Sequence, residues 1–486
     1  MVKNRLIQNH IDSGLLHTHS FINGQWLDTG MDTLTVYSPI DQQPLINLSQ
    51  VSESQITSAI ESSVKAQQKW KKTPANSRRE KLKKWLALIE KHKDDLAQII
   101  SLENGKPVSE ALVEIDYGAS YIDWFADQAI RIKGDILVNQ NNQQIWLNKQ
   151  AVGVVYAITP WNFPNAMITR KVAPALAAGC SIILKPSELT PLSAIALTTL
   201  ADKAGIDPGV ITLLISNHAE QVSQQIMADK RVRKVSFTGS TRVGKLLCQQ
   251  AAKTMKRTSM ELGGNAPFIV CDDADLDLAV DAAIAAKFRN AGQACVAANR
   301  FYLSQTIATT FTEKLVQKLK DLFENKTEQS LIIGPMITEQ AKTKVLSWIE
   351  AAIAQGAKKV YTAKCRNDGQ YLAPTVINNI SSEMALFQNE IFAPVIAITH
   401  FDKLSDVIAQ ANNTDAGLAA YCFSQNLETI TLLNNELEYG MVAINQGSLS
   451  NAIAPFGGIK DSGLGREGSD YGLDEYLDLK YTNLVI

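Results

Sequence analysis

The apolar positions along the chain change rhythm near residue 150. Before it they recur at the spacing of helix faces. Ile56, Ile60 and Val64 follow Ser52 and Gln55, which are placed as a capping box. Leu82, Trp85, Leu86, Ile89, Leu96, Ile99 and Ile100 follow Asn76 and stop before Gly105 and Pro107. The pattern predicts a first hundred residues that are mostly helix. From residue 151 short unbroken apolar runs take over: VGVVYAI (152–158), SIILK (181–185), VITLLI (210–215) and KVSFTG (234–239). Segments of helix-compatible length separate and follow them, at 164–178, 191–205, 218–229 and 240–255. Such alternation predicts a parallel sheet with helices on both faces. It restarts after ELGG (261–264) and runs to about residue 450, which predicts a second α/β unit. The stretches 129–148 and 477–486 alternate apolar with polar residues and are expected to pair as strands outside both sheets.

Composition narrows the class. The 486 residues are 45% hydrophobic and 20% charged, enough to bury a large core. Lys and Arg number 47 and Asp and Glu 49, a net charge of −2 that argues against a mainly electrostatic nucleic-acid binder. No apolar run reaches the ~18 residues that a membrane span needs. The start, MVKNRLIQNHIDSGLL, lacks a signal-peptide core, and the last residues, TNLVI, carry no lipidation or retention signal. The expectation is a soluble cytoplasmic protein with neither nucleic acid nor membrane as partner. The six cysteines form no CxxC and the six histidines are scattered, so no metal site is expected, and a reducing compartment fits.

Ligands of open α/β sheets sit beyond the carboxyl ends of the strands. Three runs end in polar or glycine-rich turns: Thr159, Pro160, Trp161 and Asn162; then Lys185, Pro186, Ser187 and Glu188; then Thr238, Gly239 and Ser240 through Arg242 to Gly244. The usual GxGxxG fingerprint is absent, and GSTRVG alone is a weak signal. The set as a whole is not weak. WNFP (161–164), KPSE (185–188), FTGST (237–241), MELGG (260–264), GQAC (292–295), EIFAP (390–394) and PFGGIKDSGLGRE (455–467) resemble, in order and spacing, the motifs of the NAD(P)-dependent aldehyde dehydrogenase superfamily. WNFPNAMITRKVAPALAAGC and KFRNAGQACVAANR are most similar to its succinate-semialdehyde dehydrogenase branch.

Each residue's role also has a chemical reason. Oxidising an aldehyde by hydride transfer first needs a tetrahedral adduct, and a thiolate makes one well; Cys295, beside Gly292 and Ala294, is the nucleophile. The adduct's oxyanion needs neutral donors. The resemblance supplies the Asn162 amide and the Cys295 backbone N–H. Releasing an acid from the thioester needs a base to activate water, and Glu261 is that base. Relatives that pass the acyl group to coenzyme A, or that reduce an acyl phosphate, generally lack this glutamate. The resemblance places Lys185, Ser187 and Glu188 by the adenosine ribose and Gly239 and Ser240 by the pyrophosphate. Glu390 and Phe392 fall by the nicotinamide ribose, with Thr159, Pro160 and Trp161 on the cofactor wall. Arg242 and Arg466 receive no role.

Glu188 can accept bonds from both ribose hydroxyls and would repel a 2′-phosphate, so NAD is expected to be preferred over NADP. Arg170, Arg289 and Ser450 match the residues that bind the far carboxylate of succinate semialdehyde in the branch, and guanidinium forks suit a carboxylate. The implied reaction is succinate semialdehyde to succinate through a thiohemiacetal and a thioester. Glutarate semialdehyde or another short aldehyde is the alternative within enzymes, and a catalytically idle structural or binding member the alternative outside them. Some relatives carry GQTCVC; Ala297 stands where that second cysteine would be, so no intrachain redox switch is expected here, although an activated Cys295 would oxidise readily. The implied fold is an α/β Rossmann-like cofactor domain (1–128 and 149–262), an α/β catalytic domain (263–455) and a β oligomerisation arm with bridging segments (129–148 and 456–486). A homodimer or homotetramer follows, because the arm's strand edges would otherwise be exposed.

Overall fold

A computed structural model describes residues 11–28, 32–138, 143–324 and 333–485. The four predicted apolar runs are strands. β1 (Val154–Ile158), β2 (Ser181–Lys185), β3 (Ile211–Leu213) and β4 (Val232–Thr238) are joined by β5 (Arg257–Glu261) in a parallel array ordered β3-β2-β1-β4-β5. Both faces are covered by helices, so β2 is buried along its whole length. The chain leaves β1 for β2 and β3 and then returns past β1 to β4, so the order reverses at β1, where strand-end loops part to make a crevice. Antiparallel additions complete an eight-stranded sheet: the hairpin Ser20–Ile22 and Gln25–Leu27 beyond β3, and Gly463–Leu464 beside β5.

A second, seven-stranded sheet contains β6 (Ala266–Val270), β7 (Ala298–Ser304) and β8 (Val395–Phe401), with β7 between the other two. Only its edge pair, Lys358–Thr362 with Thr375–Asn378, is antiparallel. Outside both sheets, Asp135–Val138, Gln144–Ala151 and Leu477–Leu484 form a three-stranded antiparallel arm, the pairing expected for 129–148 and 477–486; residues 139–142 and 486 lie outside the described residues. No described helix is long and apolar enough to cross a membrane.

The Ser52 capping box forms as read, opening the helix Glu53–Trp70. The reading of the first hundred residues as mostly helix needs correction. Up to Ser49 the described chain has two β-hairpins and one short 3-10 turn, and the apolar run from Leu82 to Ile100 is broken at His92 into two helices.

Two helices position the site. α1 (Val108–Gln128) packs against α2 (Ala166–Ala178), which starts just past the end of β1. A Cβ at Gly118 of α1 would lie 2.9 Å from both Asn165 Oδ1 and Thr169 Oγ1, so glycine permits the close approach.

Candidate active site

A cavity of about 270 Å³ lies between the carboxyl ends of β1, β4 and β5 and the amino ends of β7 and β8. Its wall includes Asn162, Glu261 and Cys295 together with Arg170, Arg289 and Ser450, so the expected nucleophile, oxyanion donor, base and anion-binding residues share one space.

Cys295 precedes β7 in a loop that is held under strain. Asn290, Ala291 and Gly292 follow one another at φ of 51°, 55° and 74°. Such conformations cost roughly 1–3 kcal/mol each at non-glycine residues and persist only where the surroundings over-determine them. Here they do. Asn290 N donates to Glu110 Oε2 at 2.7 Å, its Nδ2 donates to the Asn162 carbonyl at 2.9 Å, and Gln293 Nε2 donates to the Asn290 and Pro335 carbonyls. A Cβ at position 292 would sit 2.3 Å from the Ala393 carbonyl oxygen, which fixes glycine there. Burial pushes the Cys295 thiol up to about 12; Glu390 and Glu261 add to that, while Arg170 and Arg289 oppose it. The resting group is therefore a thiol.

Asn162 stands four residues past β1. Its Nδ2 donates to the Gln293 carbonyl at 3.1 Å, which fixes the amide orientation, because the flipped amide would set two oxygens against each other. One Nδ2 hydrogen remains for a ligand, and no acceptor for the Cys295 N–H is found among the described residues. These are two neutral donors for one oxyanion.

Glu261 is the last residue of β5. It is buried, and neither carboxylate oxygen has a hydrogen-bond partner among the described residues. Burial and the charge of Glu467 push its pKa well above the ordinary glutamate value, against Arg170, Lys171 and Arg466. Burial also opposes ionisation of Glu467. There, however, Lys171 at 2.5 Å and Arg170 at 2.7 Å outweigh it and hold that carboxyl below its ordinary value.

The two expected substrate arginines differ. Arg170 is buried, paired to Glu467, stacked over Phe456 at 4.1 Å and hydrogen-bonded to the Tyr117 hydroxyl at 3.1 Å. Arg289 is half-buried, lies over Phe163 at 4.9 Å and has no ion-pair partner within 4.0 Å among the described residues. Ser450 is half-buried on the same wall.

The residues expected to hold the cofactor fall in two groups. Pro160, Trp161, Gly239, Ser240, Glu390 and Phe392 line the cavity. Trp161 meets Phe392 edge-on at 5.7 Å, and Glu390, pushed up to about 7 by burial, accepts from Gly264 N at 3.2 Å. Thr159, Lys185, Ser187 and Glu188 lie outside its lining, at the adjoining ends of β1 and β2, where Thr159 N donates to the Lys185 carbonyl. Ser187 Oγ accepts from Leu189 N, a local turn. A dinucleotide fits this surface. Ser240 gives no side-chain cap to the helix Thr241–Ala252, leaving its first N–H groups open to a pyrophosphate, and the buried Thr159 and Thr238 hydroxyls have no partner among the described residues.

Several neighbours of the site had no sequence signal of their own. Glu467 lies within the PFGGIKDSGLGRE motif but is defined only by its contact with Arg170 and Lys171, 297 and 296 positions away. Lys106, in the turn between Gly105 and Pro107, and Glu110 and Glu114 on α1 lie in none of the motifs, yet all three are drawn in behind the site. Arg466 ties the closing loop through the Gly458 and Gly465 carbonyls.

A thiol, two free neutral N–H donors and a buried carboxylate thus meet at the mouth of a crevice that fits a dinucleotide, the set an oxidoreductase working through an acyl-enzyme would need. Residues 26–482 match the Aldehyde dehydrogenase family, and the chain belongs to it. It is 46% identical to a mitochondrial succinate-semialdehyde dehydrogenase of Oryza sativa subsp. japonica, over 96% of this chain and 90% of that one. It is 44% identical to the succinate-semialdehyde dehydrogenase [NADP(+)] GabD of Escherichia coli (strain K12), over 97% and 98%. Among solved structures, an E. coli NADP dependent enzyme superposes with a TM-score of 0.95 at 44% identity, over 98% and 99%, so the fold is that of the family.

These relatives overturn the expected preference for NAD, since two of the three are described as NADP enzymes. The structure shows why Glu188 does not decide the matter. Lys185 Nζ lies 3.8 Å from its carboxylate, so the charge that was to repel a 2′-phosphate is already compensated, and the 41% exposed side chain is screened by water.

Proposed function

We propose that this chain oxidises succinate semialdehyde to succinate, with Cys295, Asn162 and Glu261 as its catalytic residues and Arg289 and Ser450 as the principal anchor of the far carboxylate. The observation that carries it is the shared cavity: the one arginine on its wall without an ion-pair partner among the described residues faces the same space as the thiol. Cys295 Sγ attacks the aldehyde carbon. Glu261, made strongly basic by burial, takes the thiol proton. The adduct's oxygen is held by Asn162 Nδ2 and the Cys295 N–H while hydride leaves the carbon, and a thioester remains. Glu261 passes that proton to solvent and, ionised again, takes one from water, whose oxygen attacks the thioester; Cys295 leaves as the thiolate, regains a proton from Glu261, and succinate is released. A bound nicotinamide dinucleotide supplies the hydride acceptor. Gly239 and Ser240 would hold its pyrophosphate, Lys185, Ser187 and Glu188 its adenosine ribose, and Glu390 with Phe392 its nicotinamide ribose, against Thr159, Pro160 and Trp161. Arg170 also lines the cavity, but its charge is shared with Glu467.

The two sheets support a division into a cofactor domain (1–128 and 149–262) and a catalytic domain (263–455), joined by 129–148 and 456–486. The exposed arm supports a homodimer or homotetramer, and six free cysteines accord with a cytoplasmic location.

A panel of succinate semialdehyde, glutarate semialdehyde and butyraldehyde with NAD and NADP, followed by absorbance of the reduced nicotinamide, tests the reaction. Highest kcat/KM for succinate semialdehyde is expected. One further methylene costs a pocket only roughly 1–3 kcal/mol, so partial use of the glutarate homologue fits the reading. A preference for butyraldehyde would refute it.

A further inference from the structure

The backbone oxygen of Asn162 receives two donors: Lys106 Nζ at 2.8 Å and Asn290 Nδ2 at 2.9 Å. Lys106 is buried, and so is its partner Glu114, 2.5 Å away. The other oxygen of Glu114 accepts from Asn165 N at 2.8 Å and Ala166 N at 3.3 Å, the first amides of α2, whose own N-cap side chain makes no cap bond. One ion pair therefore grips the Asn162 turn on both sides, at the peptide oxygen through the lysine and at the start of the following helix through the glutamate. Lys106 Nζ also stands 4.1 Å over the Phe163 ring, so the residue next to Asn162 is held as well. Neither side chain lines the cavity.

We infer that Lys106 and Glu114 are positioning residues for the oxyanion site, setting the Asn162 peptide plane and thereby the direction of its side-chain amide. The inference rests on the reading of Asn162 as oxyanion donor. A purely structural pair would not require the ammonium to end on this one carbonyl. A hydrophobic pair of the same volume is often as stable as a buried ion pair, so stability alone gives no reason for these charges. An amide that must meet a developing charge within about half an ångström does give one, because small misplacements at a reacting centre cost about 10²-fold in rate.

The nucleophile loop shares the Asn162 carbonyl but also has braces of its own, Glu110 on Asn290 N and Gln293 Nε2 on the Asn290 and Pro335 carbonyls, and these provide the test. Alkylation of Cys295 by iodoacetamide is displacement at a saturated carbon and builds no charge on an aldehyde oxygen, so it reports the thiol and its loop but not the oxyanion site. The double variant Lys106→Met/Glu114→Gln removes both charges of the pair together and keeps the net charge. Its kcat is expected to fall about 10²-fold, with aldehyde KM within about threefold and the Cys295 alkylation rate within about twofold of wild type. Should the double variant not fold, Glu114→Gln alone is read in the same way, with at least a tenfold loss of kcat expected. Wild-type kcat, or an alkylation rate that falls in step with kcat, would overturn the inference. Asn162→Ala runs alongside: if it keeps full turnover, the oxyanion reading itself fails, whereas a large loss there beside a normal double variant sinks only the positioning pair.

Discussion

With Glu261 as the proposed base, the chemistry's pH dependence is concentrated in one side chain. Burial and Glu467 raise its pKa, so the proton is held until the solution is well above the ordinary glutamate range. Only the ionised form can take a proton from water. Where deacylation limits turnover, kcat is therefore expected to rise with pH through a midpoint well above 4.5, and Glu261→Gln to flatten that rise and leave a burst of reduced cofactor before slow turnover. A wild-type profile level from pH 5 to 9 would remove Glu261 from the step. Cys295→Ala should abolish oxidation while cofactor binding stays measurable. The arginines separate by their partners. Arg289→Ala is expected to raise KM for succinate semialdehyde about 30-fold, the worth of a charge-assisted bond of about 2 kcal/mol, and to spare butyraldehyde. Arg170→Ala instead leaves Glu467 short of one cation beside Glu261. It should slow both aldehydes and push the pH midpoint higher, and loss confined to the charged aldehyde would contradict that separation.

At the scale of elements, burial decided what could be read from the sequence. β1 to β4 were legible because each carries a short apolar stretch closed by a polar, glycine-rich or proline-containing turn, whereas β5, reading Arg257, Thr258, Ser259, Met260 and Glu261, carries no such stretch and was not. The early hairpins were not, since their strands run three to six residues with mixed burial. Asn23 and Gly24, at φ of 52° and 78°, form the Asn-Gly turn that could have revealed the first hairpin. Cys295, Asn162 and Glu261 were legible because their motifs are local, but Lys106, Glu114 and Glu467 act through contacts that no local pattern records. Glu103 is of the same kind: buried, it accepts from Leu192 N at 2.6 Å, Ser193 N at 2.9 Å and Ser193 Oγ at 2.5 Å, capping the helix Leu192–Lys203 from a distant helix. Burial pushes its pKa up to about 8 against those bonds. Because the folded value lies above the unfolded one, its contribution is complete below about pH 4.5 and declines as pH rises to about 8. Glu103→Gln is thus expected to weaken the fall in chemical-denaturation midpoint between pH 5 and 8. An unchanged slope would show that Glu103 does not carry it.

Across the whole molecule, the C-terminal chain joins three sheets and then presents a fourth surface outward. Ile459–Lys460 pairs with Ala416–Gly417, Gly463–Leu464 with β5, and Leu477–Leu484 with Gln144–Ala151. Ser462 Oγ donates to the Gly263 carbonyl and accepts from Gly417 N, linking the strand that ends in Glu261 to the catalytic side. Beyond this stitch the arm leaves apolar side chains in solvent: Ile136 at 67%, Val138 at 64% and Leu479 at 65% exposure, on a sheet of three strands with little core of its own. Apolar side chains and open strand edges of this kind favour pairing with a second copy, and burying each would contribute roughly 1.5–3 kcal/mol. Two lysines introduced there, Ile136→Lys with Val138→Lys, would place charges in that contact without touching the cavity. Sedimentation equilibrium is expected to show the wild type as a dimer or tetramer and the variant dissociating at concentrations at least a hundredfold higher. Its initial KM for the aldehyde should stay within about twofold, because neither residue lies near Cys295 in the lining of the site. A variant that assembles as tightly as the wild type would show that the arm is not the surface on which the copies meet.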